Sequence, residues 1–122
     1  MNHTVCHFEI PADDPEKLIA FYTKLFDWKA NKWDMGGVDA YWLLETGPEG
    51  EAVNGGLMKR QSPDHVPTNY IMVESVDQYA AKAQELGAAL LMPKTEIPDM
   101  GWFAILRDPQ GNPLGLFEAK VG

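Results

Sequence analysis

His7 and Glu9 stand two residues apart in the stretch Val5-Cys6-His7-Phe8-Glu9-Ile10. Along an extended strand that spacing puts both side chains on one face. Imidazole titrates near neutrality, and a carboxylate beside it can orient the ring or hold its cation. The pair suits general acid–base chemistry or the anchoring of a polar ligand. The bland alternative is an imidazole that fills a sheet face with its nitrogens satisfied by a backbone carbonyl or water, and a Glu9 solvated at the mouth of a cleft. Both readings stay open. His3 lies near a terminus and His65 sits among Pro63, Asp64 and Pro67, where solvent exposure is the ordinary outcome.

The elements that must position His7 follow from its neighbours. Cys6, Phe8 and Ile10 alternate to the opposite, apolar face, which predicts a helix packed beneath it. Asp14 is a good N-cap, Pro15 suits the first helical position, and Glu16 favours the positive end of the helix. Leu18, Phe21, Tyr22 and Leu25 then recur at helical spacing as one apolar stripe. After this helix the pattern predicts strands over 28–33, 38–46 and 52–59. Asp34-Met35-Gly36-Gly37 and Gly47-Pro48-Glu49-Gly50 are the turns, and Gly55-Gly56 interrupts the last strand. Residues 61–68 read as a linker between a first unit, 1–60, and a second, 69–122.

Beyond the linker the same order returns: a strand over 69–73, a helix over 76–86, and strands over 88–92, 102–107 and 113–118. Asp14 corresponds to Glu74, Leu25-Phe26-Asp27 to Glu85-Leu86-Gly87, Asp34-Met35-Gly36 to Asp99-Met100-Gly101, and Pro48-Glu49-Gly50 to Pro109-Gln110-Gly111, at offsets of 60, 60, 65 and 61 residues. Four separate motifs at nearly constant offset argue for an internal duplication. The second helix takes Ser75 as N-cap, a stripe of Val76, Tyr79, Ala80, Ala83 and Leu86, and Gly87 as its left-handed stop. The fold class expected is α+β, with two β-α-β-β-β units forming mixed curved sheets around one cleft and the helices outside. Alternation assigns His7, Glu9, Tyr41, Leu43, Asn54, Met58, Tyr70, Met72, Trp102 and Phe117 to the inner faces. Of these, Tyr41, Asn54, Met58, Tyr70, Met72, Trp102 and Phe117 are the expected ligand contacts. Trp42 and Phe103 read as core or cleft wall.

Composition limits the partners. The chain is 45% hydrophobic, enough for a packed core, and its net charge is −8 without any cluster of Lys or Arg. Nucleic acid and anionic membrane surfaces are therefore disfavoured, and neutral or cationic small molecules are the easier partners. No apolar run approaches the ~20 residues that span a bilayer, and no basic region followed by an apolar stretch opens the sequence, so a cytoplasmic location is expected. The single cysteine, Cys6, cannot form an internal disulfide and reads as a small buried hydrophobe.

With these residues in place the chain resembles the vicinal oxygen chelate superfamily, which includes glyoxalase I, extradiol dioxygenases, fosfomycin resistance enzymes and bleomycin resistance proteins. The resemblance is carried by His7 with Asp14 and Phe21-Tyr22…Leu25-Phe26, by Val53-Asn54-Gly55-Gly56-Leu57-Met58, and by the closing stretch from Asp108-Pro109-Gln110-Gly111-Asn112 to Phe117-Glu118. It covers nearly the whole chain. It implies a metal site with one ligand from each of four equivalent strand positions. The first falls on His7, the second on Gly56, the third near Thr68 or Asn69, and the fourth on Gly115. One good ligand of four does not hold a divalent ion, so neither a metal nor another cofactor is expected. The glycines at the second and fourth positions are expected to widen the cleft or let a strand bend. Glu118, three residues past the fourth position and of opposite parity, reads as a terminal surface residue.

The resemblance leaves two functions open. One is a glyoxalase-like lyase or isomerase acting on a small carbonyl or hydroxy compound with His7 as acid–base group. The other is a non-catalytic binder of a small molecule or antibiotic, like the bleomycin resistance proteins. Whether the chain is an enzyme is left undecided by the sequence. A homodimer is expected, chiefly from the resemblance.

Overall fold

A computed structural model describes residues 3–33 and 41–120. The chain divides into two compact units, His7–Pro67 and Met1–Cys6 with Thr68–Gly122. The elements are β1 (Val5–Ala12), α1 (Pro15–Leu25), β2 (Lys29–Trp33), β3 (Tyr41–Glu45), β4 (Gly55–Lys59), β5 (Thr68–Met72), α2 (Val76–Glu85), β6 (Ala89–Ile97), β7 (Gly101–Arg107) and β8 (Pro113–Ala119). This is an α+β chain, and the β-α-β-β-β order appears twice. The turn expected at Asp34-Met35-Gly36-Gly37, and the start of the strand expected over 38–46, lie outside the described residues.

In the unit His7–Pro67, β1 runs parallel to β4, β4 antiparallel to β3, and β3 antiparallel to β2. Asp14 caps α1 by accepting from the Lys17 amide, with Pro15 at the helix start. Leu18, Ile19 and Tyr22 of the helix pack with Phe8, Ile10, Ala30 and Trp42 around the buried Ala12, Leu44 and Leu57. The stripe differs from the expected one. Phe21 and Leu25 are more than half exposed, and Ile19 takes the inward place. Nearly every position from Leu18 to Phe26 is apolar or aromatic on one side or the other, so periodicity alone does not pick the buried arc.

The second unit pairs its strands identically: β5 parallel to β8, β8 antiparallel to β7, β7 antiparallel to β6. Ser75 caps α2 by accepting from the Gln78 amide, and Gly87 follows the helix with φ +109°, a conformation that glycine adopts without steric cost. Val76, Tyr79, Ala80 and Ala83 face Val73, Ala104, Leu106 and Leu116 as expected, whereas Leu86 is exposed. The residues before β1 belong to this unit: His3 N–H donates to the Met72 carbonyl and the Met72 amide to the Thr4 carbonyl.

Three further expectations are corrected here. The stretch 61–68 is organised, because the Gln61 amide donates to His65 Nδ1 (3.1 Å), Arg60 donates to the His65 carbonyl (2.6 Å), and Thr68 already belongs to β5. His65 is thus a half-buried loop anchor. β6 runs on through Pro93 to Ile97, where the expected strand ends at Met92; with irregular register at Leu90/Met92 and Met92/Thr95, it can include a residue that lacks an N–H donor. Glu118 is not a bare surface residue: its carboxylate accepts from the Val76 amide (2.9 Å) and so satisfies an orphan donor at the start of α2.

Candidate functional site

The helix-free face of the unit His7–Pro67 is set by register. Glu9 lies opposite Gly56, Leu43 opposite Gly56, Tyr41 opposite Met58 and Trp33 opposite Tyr41, so these residues share one face with His7. Phe8 and Ile10 take the other face, against α1. The alternation read from the sequence therefore holds along β1.

On this face three polar groups meet. His7 Nε2 is 2.8 Å from the Tyr41 hydroxyl, and that hydroxyl donates to Glu9 Oε2 at 2.9 Å. With the phenol proton directed at the carboxylate, the imidazole proton sits on Nε2 and the ring's lone pair on Nδ1. Burial pushes the His7 imidazole below its ordinary value, and the nearby Glu9 carboxylate works against that shift. The ring is thus neutral at pH 7 and able to accept a proton, with a phenol hydrogen-bonded to it and a carboxylate hydrogen-bonded to that phenol. Around them stand the partly exposed side chains of Leu43 and Trp33 and the half-buried Met58. The Trp33 ring meets Tyr41 edge-on with centroids 6.1 Å apart.

Tyr41 reaches this position because Gly56 has no side chain. A Cβ built on Gly56 would overlap the Tyr41 hydroxyl and the end of its ring. The other unit repeats the device, for a Cβ on Gly115 would overlap the Tyr70 ring. The expectation that these glycines widen a cleft is corrected: a tyrosine occupies the space beside each.

The remaining predicted contacts divide. In the unit that contains Thr68–Gly122, Tyr70, Met72 and Phe117 lie on the helix-free face, where Tyr70 pairs with Gly115 and Met72 with Phe117. Tyr70 is buried there, edge-on to Phe103. Trp102 is misassigned by the sequence reading. It pairs with Glu118 and packs on the helix side with Ala104 and Leu106, while the Lys94 and Lys120 ammonium groups stand 5.2 and 5.4 Å from its ring. Phe103, its neighbour, takes the place expected of it, since Trp-Phe-Ala-Ile-Leu offers no polar alternation to fix parity. Asn54 is committed to the backbone, accepting from the Thr46 amide at 2.9 Å. Trp33 was missed; its place opposite Tyr41 depends on a strand pairing that single-strand patterns do not reveal.

Comparison with known proteins adds a decisive observation: residues 2–116 match the model of the Glyoxalase/Bleomycin resistance protein/Dioxygenase superfamily. The chain belongs to this superfamily. It is 32% identical over 106 residues to the protein named "Putative glyoxylase CFP32" of Mycobacterium bovis, and equally to that of Mycobacterium tuberculosis. The match takes in 84% of this chain and 39% of each relative, so the chain spans about two fifths of their length. Among solved structures it is similar to a hypothetical protein from Bacillus halodurans C-125 (TM-score 0.74, 17% identity, 100% of this chain and 98% of that one). A Streptomyces coelicolor methylmalonyl-CoA epimerase in complex with 2-nitronate-propionyl-CoA gives a TM-score of 0.71 at 14% identity, covering 99% of this chain and all of that one. At such identities the likeness is one of fold.

The superfamily resemblance implies a divalent metal, and the residues present do not fit one. The second and fourth ligand positions are Gly56 and Gly115, and tyrosine side chains fill the volume into which a ligand there would project. At the third, Thr68 is buried and Asn69 exposed, neither with the donor strength of an imidazole. Among the described residues no group of three or more His, Cys, Asp or Glu side chains is placed to hold an ion.

Proposed function

We propose that the chain binds a small carbonyl or hydroxy compound on the helix-free face of residues 7–67 and transfers a proton on it, as a lyase or isomerase of the glyoxalase kind. The observation that carries this reading is the hydrogen-bonded set His7–Tyr41–Glu9. A neutral imidazole is a competent base at pH 7, and the phenol and carboxylate fix its tautomer. In the step envisaged, His7 takes the proton from the carbon next to the carbonyl and becomes imidazolium, which Glu9 stabilises; the electron pair moves onto the carbonyl oxygen as an enolate. A proton delivered from water to the opposite face of that carbon inverts it, and His7 gives its own proton back to water, which completes an isomerisation. The relatives named glyoxylase and the epimerases of like fold support this class of reaction.

The test is deuterium incorporation at carbon, followed by NMR, for a series of small α-hydroxycarbonyl compounds and acyl thioesters in heavy water. Wild type should exchange at least one of them, and His7→Ala should lose about 100-fold or more of that rate, the size of a lost general base. Absence of exchange across the series with wild type would refute the enzymatic reading.

One observation favours a second reading, a non-catalytic binder. Glu9 shares its sheet face with the partly exposed Trp33 and Leu43 in a chain of net charge −8, a setting that suits a cationic ligand with an apolar body. On this reading the ligand is held, and His7→Ala weakens binding without altering any rate. Under either reading we propose a cytoplasmic homodimer. Among the described residues no helix is long and apolar enough to cross a membrane.

A further inference from the structure

The superfamily site and this chain disagree at one position in an informative way. Gly56 lies opposite Glu9 on β4, and the volume that its side chain would take is held by the Tyr41 hydroxyl, which bridges His7 and Glu9. Any larger residue at 56 must displace that hydroxyl. The atoms in the way are the far end of a tyrosine ring, which can swing aside, so the backbone of β4 need not move. Where the resemblance implies a ligand to an ion at this position, here nothing projects, and a neutral phenol has taken the place.

We propose that Gly56 is a positioning residue: its missing side chain seats the Tyr41 hydroxyl between His7 and Glu9, and the site thereby holds a hydrogen-bonded phenol where a divalent cation would otherwise be ligated. The phenol's one proton goes to Glu9 and its oxygen meets His7 Nε2, so it links base and carboxylate without supplying an ion's charge. It keeps His7 desolvated and stands between the imidazole and the carboxylate. Gly115 beneath Tyr70 is the matched position of the other unit. The proposal rests on reading this face as the functional site, but it is tested without substrate, so its failure is distinct from failure of the proposed reaction.

The test follows the His7 ring by NMR titration, its signals assigned by their loss in His7→Ala, together with titration of Co2+ alone into the protein. Gly56→Ala should raise the His7 pKa toward the ordinary imidazole value by about half a unit or more, because the displaced ring re-exposes the imidazole and brings Glu9 to bear directly. Tyr41→Ala should shift it in the same direction, and the double variant should add little to either, since both remove one interaction. Wild type should show no saturable Co2+ binding. A His7 titration unaltered in Gly56→Ala and Tyr41→Ala would overturn the proposal, as would about one Co2+ bound per wild-type chain and lost in His7→Ala. Should Gly56→Ala fail to fold, Tyr41→Ala decides the titration.

Discussion

His7 and Phe8 are adjacent in sequence and opposite in consequence. Strand alternation was enough to separate them, because the polar His7 and Glu9 and the apolar Phe8 and Ile10 leave only one face that can meet a helix. Phe8→Ala removes a ring packed against the core of its unit and should cost about 3 kcal/mol in urea unfolding. His7→Ala gives up a part-buried hydrogen bond to Tyr41 and should cost about 1 kcal/mol, well under Phe8→Ala. The pH dependence has a definite sign. Burial lowers the folded His7 pKa beneath its ordinary 6.5, so below that pH the unfolded chain binds a proton that the folded chain refuses. Stability should therefore fall as pH drops through about 6.5 and level off once the folded ring also titrates. His7→Gln should flatten that part of the profile in chemical denaturation curves. Where parity rested on a run of apolar residues, as at Trp102 and Phe103, the sequence held no such information, and the helix side was decided by the pairing of Trp102 with Glu118.

At the scale of the element, the starts of both helices were legible because capping is local chemistry: an Asp or Ser oxygen meeting an amide three residues on. Asp14→Ala and Ser75→Ala should each cost about 1 kcal/mol. The third cap was not legible. Glu118 reaches the Val76 amide across 42 residues, and only the fold brings them together. Glu118→Ala should destabilise the protein by about 1 kcal/mol while Glu118→Gln, which keeps an acceptor, should cost less; thermal unfolding of the pair measures the difference. The closing turn is of the local kind again. Asp108 accepts from the Asn112 and Gln110 amides, contacts that hold its carboxyl below the usual range, and Gly111 takes φ +90°. The extent of β6 through Pro93 was hidden because proline ordinarily ends a strand, and an irregular register is what admits it here.

For the whole molecule, the duplication was legible as four motifs at nearly constant offset, one of which, Asp34-Met35-Gly36, lies outside the described residues. The identical pairing order within each unit agrees with it. The sequence also placed Gly56 and Gly115 at matched positions. It did not reveal that a tyrosine covers each, because those contacts depend on ring orientation and not on spacing. Homodimerisation is a separate expectation, and sedimentation giving twice the chain mass would support it.

The central claim is that the helix-free face around His7, Tyr41 and Glu9 is where this chain meets its ligand. Its most direct test is a 13C and 15N chemical-shift map of the wild-type protein against a set of small carbonyl, hydroxy-acid and cationic aromatic compounds. Binders should perturb His7, Glu9, Trp33, Tyr41 and Met58 together, and His7→Ala should weaken or abolish the same perturbations. Binding whose shifts cluster on α1 or α2, with His7 and Tyr41 unmoved, would contradict it.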